Sequence, residues 1–338
     1  AVRHARAGVP MAALQSFILS AVAPIFLWTE DSRALFGSRE RPGETLQTGE
    51  LLRLPRLADL LQEVAAFGPQ ALYSGPLAFV LVADQQRHGG GLRPQDLAGY
   101  EVVRRPALGF DFAGQTVLTN PPPSSGGALI AFAMRLLDGL PAGGSAQADL
   151  ARIMAATGLA RERTGLLGEA TMERVEHLLS DEALASYRGM LAGRALKTGG
   201  TTHISVIDRA GNAAALSLSN GEGAGHLWPG TEIMLNNMLG EADTNLQVLV
   251  NLLRHGMTLR DAVSAPRLHA ESGLLNLEPG LDPGLAGTLS RDFTRIEQWP
   301  EHNFFFGGVH AVAFDPASGH FEAAGDPRRG GVGLVVEG

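Results

Sequence analysis

The sequence of 338 residues contains no cysteine. This absence excludes a disulfide framework, a thiol nucleophile and thiolate metal sites, so a covalent nucleophile must be a hydroxyl. Basic residues are also scarce: 27 Lys and Arg stand against 35 Asp and Glu, and they form no cluster that would suit nucleic acid. The length and the 45% hydrophobic content indicate a folded, soluble protein with one large domain or two ordinary ones.

The N-terminal segment Ala7–Thr29 carries no charge and follows Arg3 and Arg6, which imitates a signal peptide. Three features argue against that interpretation: the chain does not begin with Met, Pro24 interrupts the apolar run, and polar residues recur along it. We therefore expect a buried helix, broken near Pro24, and no membrane span.

Helical and strand patterns divide the chain near residue 200. Apolar spacing, with Pro at the start and Gly after the end, predicts helices from Pro55 to Gly68 and from Pro76 to about His88. Further helical patterns cover 129–137, 146–160, 172–187, 246–255 and 259–265, and a short strand covers 116–119. Period-two alternation predicts two hairpins, one formed by 202–208 and 213–219 and the other by 309–315 and 320–326. Together these patterns predict a layered α/β protein.

The first of these hairpins places hydroxyl groups opposite one another. If the turn at Arg209–Gly211 is symmetric, His203 faces Ser217 and Thr201 faces Ser219. Directly opposed residues have Cβ atoms about 4.5–5.5 Å apart. The mouth of the hairpin is therefore a candidate site for hydroxyl chemistry.

Thr201 also has the neighbours that a threonine nucleophile needs. Its hydroxyl requires a base, and its own α-amine, with a pKa of about 7.7–8.0, becomes one if the chain is cut just before it. Gly199 and Gly200 precede it and leave the Gly200 carbonyl open to attack. The plainer alternative is that Thr201 and Thr202 only begin an edge strand.

Other candidate polar residues have structural interpretations. His203 could be a general base, but we expect a packed or hydrogen-bonded strand histidine because the α-amine already fills that role. Asp326 and Arg328 are typical of an ion pair or turn. The ten histidines show no metal-ligand spacing with carboxylates, so we expect no metal site.

The segments GGTTHISVIDRAGNAAALSLSN and GTEIMLNNMLGEAD resemble the start of the small subunit of the γ-glutamyltranspeptidase family. These proteins are N-terminal nucleophile hydrolases, each made as a precursor that cleaves itself before a Thr-Thr-His run. The segments TNPPPSSGG and GDPRR resemble other family segments in the same order, so the resemblance covers most of the chain.

The resemblance implies a role for each matching residue. It makes Thr201 the nucleophile of both self-cleavage and acyl transfer, and Ser219 its partner hydroxyl, where many members have Thr. It places Asn220 and Glu241 at the α-amino group of the substrate. Met238 stands where many transpeptidases have a glutamine that also holds this amine, a replacement shared with relatives that resemble cephalosporin acylases.

The resemblance also implies an architecture. It predicts a four-layer αββα sandwich, with residues 1–200 as part of a mostly helical large subunit and 201–338 as the small subunit. Cleavage between Gly200 and Thr201 would give a heterodimer of the two. We expect the 338 residues to be part of a longer precursor, because the family has a further N-terminal portion with an arginine for the substrate carboxylate.

The expected activity is transfer of a γ-glutamyl group from glutathione or a similar amide to water or to an amine, without a cofactor. The family normally has a serine pair and an oxyanion-forming Gly-Gly between the positions of Asp243 and Leu246, and this sequence has neither there. Two alternatives therefore stay open: an acylase for glutaryl or cephalosporin-type side chains, and an uncleaved, inactive homologue that serves as a binding protein. The resemblance favours a periplasmic or secreted location, and a cysteine-free chain also suits the cytoplasm.

Overall fold

The computed structural model describes residues 1–140, 144–166, 170–189, 202–221, 223–236, 246–271 and 273–336. The chain divides into two compact units. Unit 1 comprises Ala1–Arg104 and Ser219–Leu239, and unit 2 comprises Arg105–Leu218 and Gly240–Gly338. These units differ from the predicted subunits 1–200 and 201–338, whose boundary stays a prediction because residues 190–201 lie outside the described part.

The helices are α1 (Val2–Ala7), α2 (Ala13–Ala21), α3 (Ala23–Phe26), α4 (Glu30–Phe36), α5 (Pro55–Phe67), α6 (Gln70–Tyr73), α7 (Pro76–Arg87), α8 (Pro94–Ala98), α9 (Ser125–Asp138), α10 (Ala146–Arg163), α11 (Met172–Leu178), α12 (Asp181–Arg188), α13 (Leu246–Leu253), α14 (Leu259–Ser264) and α15 (Leu285–Thr288). The strands are β1 (Val9–Pro10), β2 (Leu51–Leu52), β3 (Leu108–Phe112), β4 (Gln115–Thr119), β5 (Thr202–Ile207), β6 (Ala213–Leu218), β7 (Leu227–Trp228), β8 (Ile233–Met234), β9 (Leu268–Glu271), β10 (Leu274–Leu277), β11 (Arg295–Gln298), β12 (Ala311–Asp315) and β13 (His320–Ala324).

Unit 1 is built mainly from helices, and its two predicted helices are confirmed. Helix α5 begins with Pro55 at its first turn and ends before Gly68, whose φ of 76° stops the helix. Helix α7 begins at Pro76, as predicted, and ends one residue before His88. A short antiparallel hairpin, β7–β8, belongs to the same unit.

The N-terminal segment differs from the expectation of one buried helix. It contains α2 and α3, which are separated at Val22 near the predicted break. Of the residues of α2, only Ser16 and Leu19 are buried, whereas Phe17 is 54% exposed. No single helix among the described residues is long and apolar enough to cross a membrane, although the sharply bent pair formed by α5 and the stretch 70–87 passes by length and composition alone.

Unit 2 has a core centred on helix α9. Most of this helix is buried, and Phe132, Leu136 and Met134 are inaccessible at its centre. They pack with residues of α10 to α13 in one hydrophobic cluster. A Cβ at Gly127 would overlap the backbone of Asn120, so glycine is required where the helix starts close to the end of β4.

The predicted helix over 172–187 is wrong in one respect, because it is two helices. Ser180 lies between α11 and α12, and its side chain accepts a hydrogen bond from the amide of Ala183. A serine that caps a new helix in this way supplies a partner for an otherwise unpaired N–H group. The hydrophobic spacing alone does not contain this interruption.

The described strands form small sheets. Strands β9 and β11 flank β10, antiparallel and parallel to it respectively, and the other sheets each pair two strands. Both predicted hairpins are confirmed as β5–β6 and β12–β13. The α/β class is therefore correct, while the four-layer αββα arrangement stays a prediction.

Candidate active site

The hairpin β5–β6 has the register that the sequence predicts. Thr202 is paired with Leu218 and His203 with Ser217. The turn is held by Asp208, whose carboxylate accepts hydrogen bonds from the amides of Ala210 and Asn212 at 2.9 Å each. Thr201 lies just outside the described residues. Its pairing with Ser219, which would extend the observed register by one residue, therefore stays a prediction.

His203 makes a hydrogen bond through each ring nitrogen. Its Nδ1 lies 2.8 Å from Oγ of Ser217, and its Nε2 lies 2.9 Å from Oγ of Ser205. Because Ser205 donates its own hydroxyl proton to the carbonyl of His310 at 2.9 Å, Ser205 accepts from His203. Nε2 of His203 therefore carries a proton. The contacts agree with the interpretation of His203 as a hydrogen-bonded strand histidine.

Ser219 and Asn220 lie in a tight turn that follows β6. Oγ of Ser219 accepts a hydrogen bond from the amide of Gly221 at 3.1 Å, and the carbonyl of Asn220 accepts one from Gly223 at 3.0 Å. Gly221 and Gly223 have φ angles of 62° and 89°, which glycine adopts without strain. The amide side chain of Asn220 donates to the carbonyl of Met234 at 3.4 Å. The turn thus fixes two predicted site residues side by side in unit 1.

The other predicted site residues fall outside the described part of the chain. These are Gly200 and Thr201, which form the predicted cleavage site, and Glu241, the predicted second contact to the substrate amine. Met238 and the junction from Asp243 to Asn245 also lie outside it. Their predicted roles therefore stay predictions.

Asp326 and Arg328 belong to a buried ion cluster, which we define as Arg267, Glu278, Asp326 and Arg328. Nη2 of Arg267 lies 2.5 Å from Oδ2 of Asp326, and Nε of Arg328 donates to Oε1 of Glu278 at 2.7 Å. A second guanidinium nitrogen of Arg328 also contacts Glu278, which makes this pair bidentate. Nη1 of Arg328 lies 3.3 Å from Oδ1 of Asp326, which confirms the ion-pair interpretation of these two residues, whereas sequence reasoning missed Glu278 and Arg267.

Burial and pairing act in opposite directions on Glu278. Desolvation by itself raises the pKa of this carboxyl group, but the hydrogen bonds from Arg328 and from the amide of Arg267 outweigh it and hold the pKa below its ordinary value. Glu278 is therefore charged at neutral pH, and the cluster has two cations and two anions.

A second polar group lies in unit 1 and was not predicted. Asp84 lies in the last turn of α7, His88 directly follows this helix, and His226 precedes β7. One potential ligand atom from each residue lies within 4.8 Å of the others. The expectation that no histidine has metal-ligand spacing is therefore corrected. The four-residue spacing of Asp84 and His88 was visible in the sequence, whereas His226 is too distant in sequence to be related to them by spacing.

Comparison with known proteins identifies the family of this chain. The family model described as Gamma-glutamyltranspeptidase matches residues 1–244 and 240–336. The chain belongs to this family. The result confirms the resemblance to γ-glutamyltranspeptidases and N-terminal nucleophile hydrolases. The two matched segments overlap at residues 240–244, next to the stretch between Asp243 and Leu246 where the resemblance predicts a serine pair and a Gly-Gly that this sequence lacks.

Relatives within the γ-glutamyltranspeptidase family include both acylases and glutathione hydrolases. The Acylase ACY 1 proenzyme of Pseudomonas sp. (strain V22) is 26% identical over 88% of this chain and 63% of its own length. The glutathione hydrolase proenzyme of Escherichia coli (strain K12) is also 26% identical, over 88% of this chain and 64% of its own length. The chain thus spans a little under two thirds of these relatives.

Solved structures of the family show the same fold. A cephalosporin acylase from Bacillus halodurans aligns with a TM-score of 0.83 and 22% identity, covering 100% of this chain and 73% of that one. The Helicobacter pylori γ-glutamyltranspeptidase aligns with a TM-score of 0.50 and 19% identity over 58% of this chain and 57% of that one. These likenesses establish the fold alone.

Proposed function

We propose that the chain is the catalytic part of an acyl-transferring hydrolase whose nucleophile is Thr201. The observation that carries the proposal is the register of β5–β6: continued by one residue, it opposes Thr201 to Ser219 at the mouth of the hairpin. Membership of the γ-glutamyltranspeptidase family supports the same two residues.

The proposed reaction begins with a cleavage between Gly200 and Thr201. The hydroxyl oxygen of Thr201 attacks the Gly200 carbonyl, the Gly200–Thr201 C–N bond breaks and the hydroxyl proton passes to the nitrogen, which leaves an ester and a free α-amine on Thr201. Water then hydrolyses this ester and releases the carboxylate of Gly200. In turnover, this amine takes the hydroxyl proton while Oγ1 attacks the substrate amide. The C–N bond then breaks, the leaving amine takes the proton, and an ester joins the acyl group to Thr201.

Water or an acceptor amine completes the cycle by attacking this ester and releasing Thr201. Ser219 would hydrogen-bond to the Thr201 hydroxyl during both acyl transfers. Asn220 and Glu241 would bind the α-amino group of a γ-glutamyl substrate, so the proposed substrates are glutathione and related γ-glutamyl amides.

A glutaryl or cephalosporin-type acylase is the second candidate. Met238 favours it, because a thioether cannot bind a substrate ammonium group as an amide oxygen does. The acylase relatives cover as much of the chain as the glutathione hydrolases do. Both candidate reactions use the same nucleophile. They differ in whether the acyl group of the substrate carries an α-amine.

Two anilides distinguish the candidates: γ-glutamyl and glutaryl p-nitroanilide, which differ by that amine. The proposal expects a higher kcat/KM for the γ-glutamyl compound, and the reverse order would favour the acylase. Replacement of Thr201 by Ala should remove activity toward both, by about 10⁶-fold in kcat as for other covalent nucleophiles.

A matched control for this replacement is Thr288→Ala, at an exposed threonine on the short helix α15. It should leave both activities unchanged. If Thr201→Ala and Thr288→Ala are equally active, Thr201 is not the nucleophile. If the unaltered protein turns over neither anilide, the inactive-homologue alternative is favoured instead.

A further inference from the structure

A compact group of metal-ligating side chains lies in unit 1 and includes none of the residues of the proposed reaction. We define the α7–β7 triad as Asp84, His88 and His226. One ligand atom from each residue lies within 4.8 Å of those from the other two. The proposed reaction gives none of these three residues a part, so the role of the triad is a separate question.

The three side chains are held in place by the backbone of their elements. Asp84 lies in the last turn of α7, and His88, four positions later, is the residue that follows the helix, which brings their side chains together. His226 is adjacent to β7, and its carbonyl accepts a hydrogen bond from the amide of Leu235 at 3.0 Å. Trp228 of β7 donates its indole N–H to the carbonyl of Leu77 in α7 at 3.2 Å, which fixes the hairpin against the helix.

A second contact attaches the same hairpin to unit 1. The carboxylate of Glu232, in the turn between β7 and β8, accepts hydrogen bonds from the amides of Arg56 and Leu57 at 2.9 and 3.3 Å. These amides are among the unpaired donors at the start of α5, so the anion is well placed there. His226 is thus presented to α7 by a hairpin that is anchored at two points.

The distances within the triad suit a small cation. Nε2 of His226 lies 2.6 Å from Oδ2 of Asp84, and one ligand atom of each of the three residues lies within 4.8 Å of the others. Ligand atoms about 2.0–2.2 Å from a tetrahedral Zn²⁺ ion are separated from one another by roughly 3.3 Å. The 2.6 Å contact is shorter than this value, so an outward movement of His226 would make room for the ion.

The surroundings of the ligands also fit a metal site. The side chain of Asp84 is only 9% exposed, so its anionic charge is largely removed from water. Nδ1 of His88 lies 2.9 Å from the backbone carbonyl of Asp84. A hydrogen bond from one ring nitrogen to a carbonyl is the usual partner of a metal-ligating histidine, because it orients the ring and leaves the other nitrogen with its lone pair.

We propose that Asp84, His88 and His226 bind a Zn²⁺ ion that links the C-terminal end of α7 to β7. Two imidazoles and one carboxylate favour zinc over Mg²⁺ or Ca²⁺, which take oxygen ligands. The side chain of His88 is 62% exposed, so solvent reaches the site and a water molecule supplies the fourth ligand. The ion would stabilise unit 1 independently of the acyl-transfer reaction.

The test is calorimetric titration of the chelator-treated protein with Zn²⁺, and absorption spectroscopy with Co²⁺ as the probe. The proposal expects one equivalent of Zn²⁺ to bind and to raise the melting temperature, and the Co²⁺ complex to show the strong visible bands of tetrahedral coordination. His88→Ala and His226→Ala should weaken binding at least 10–100-fold, the loss expected even for an outer-shell partner.

His4→Ala is the matched control, because His4 is an exposed histidine of the same unit. It should bind Zn²⁺ as the unaltered protein does. His88 is mostly exposed, so its replacement leaves the fold intact even if His226→Ala or Asp84→Asn does not. Failure to bind one equivalent, or equal affinity in His88→Ala and His4→Ala, would overturn the proposal.

Discussion

Two polar regions of this protein differ in how their side chains are satisfied. The buried ion cluster of unit 2 surrounds Arg328 and Glu278, whose side chains are 1% and 0% exposed, with charged partners. In unit 1, the turn that holds Ser219 and Asn220 is only partly buried, and hydrogen bonds to Gly221 and Met234 help to hold it. A buried charge is costly unless opposite charges and hydrogen bonds compensate for it, whereas a hydroxyl that acts on a substrate must be reachable by that substrate. The burial of the cluster suits a role in stability, and the partial burial of the turn suits the reaction proposed for Ser219.

The largest expected effect is on the ion cluster. Arg328→Met removes one cation and leaves Glu278 and Asp326 without it, which should lower the free energy of unfolding by about 3–5 kcal/mol. Urea denaturation measures this change. The matched control is Arg295→Met, which breaks an Arg295–Glu297 pair whose side chains are 69% and 44% exposed.

An exposed pair of this kind contributes at most about 1 kcal/mol. Arg295→Met should therefore shift the denaturation midpoint only slightly. If the two replacements lower the free energy of unfolding by the same amount, burial is not what makes the cluster important, and the contrast between the two regions is lost.

The second effect is on Ser219, where activity should change and stability should not. Ser219→Ala removes the proposed partner hydroxyl and should lower kcat by roughly 10²-fold, the scale for one lost transition-state hydrogen bond. The free energy of unfolding should stay within about 0.5 kcal/mol, as for other replacements outside a core.

Ser219→Thr supplies a rescue, because it restores a hydroxyl at the same position. Ser290→Ala is the control for loss of a serine hydroxyl at an exposed site of unit 2. Full activity in Ser219→Ala would contradict the assignment of the turn to chemistry. An equally low activity in Ser219→Thr would show that the residue has a packing role instead.

The third effect is a dependence of stability on pH. Desolvation lowers the pKa of His310, and the charge of Asp326 opposes this only in part. The folded protein therefore binds the His310 proton less readily than the unfolded chain does. Its contribution is fully present above about pH 6.5 and is lost as the pH falls through the lowered pKa. Glu278, whose pKa is also lowered, adds a further loss below about pH 4.5.

Denaturation midpoints between pH 7 and pH 5 measure the His310 contribution. In His310→Gln the midpoint should fall less steeply with decreasing pH than in the unaltered protein. His320→Gln, at an exposed histidine of β13, should keep the original slope. Identical slopes in the two variants would show that His310 does not carry the dependence.

Local features of this fold were predictable from sequence. The register of β5–β6 follows from a symmetric turn with Gly211 in a positive-φ conformation, and α5 follows from Pro55, an apolar stripe and Gly68. In these cases neighbouring residues determine the conformation, so a short window of sequence contains the information. The symmetry of the same turn also predicts that Ser219 is a candidate site hydroxyl.

Features made by distant residues were not predictable in this way. Glu278 and Arg328 are 50 positions apart, and His226 and Asp84 are 142 apart, so no spacing relates them. The break between α11 and α12 depends on a cap at Ser180, which interrupts no hydrophobic pattern. The exposure of Phe17 on α2 depends on which residues pack against that helix, and amino-acid composition does not reveal them.

The central claim, that Thr201 is an N-terminal nucleophile, is tested most directly by intact-mass analysis and N-terminal sequencing of the purified protein after incubation. The account predicts a fragment whose first residue is Thr201, and its absence in Thr201→Ala. Incubation with a γ-glutamyl anilide should add one acyl group to that fragment. A chain that stays joined between Gly200 and Thr201 and still turns over the anilide would contradict the account.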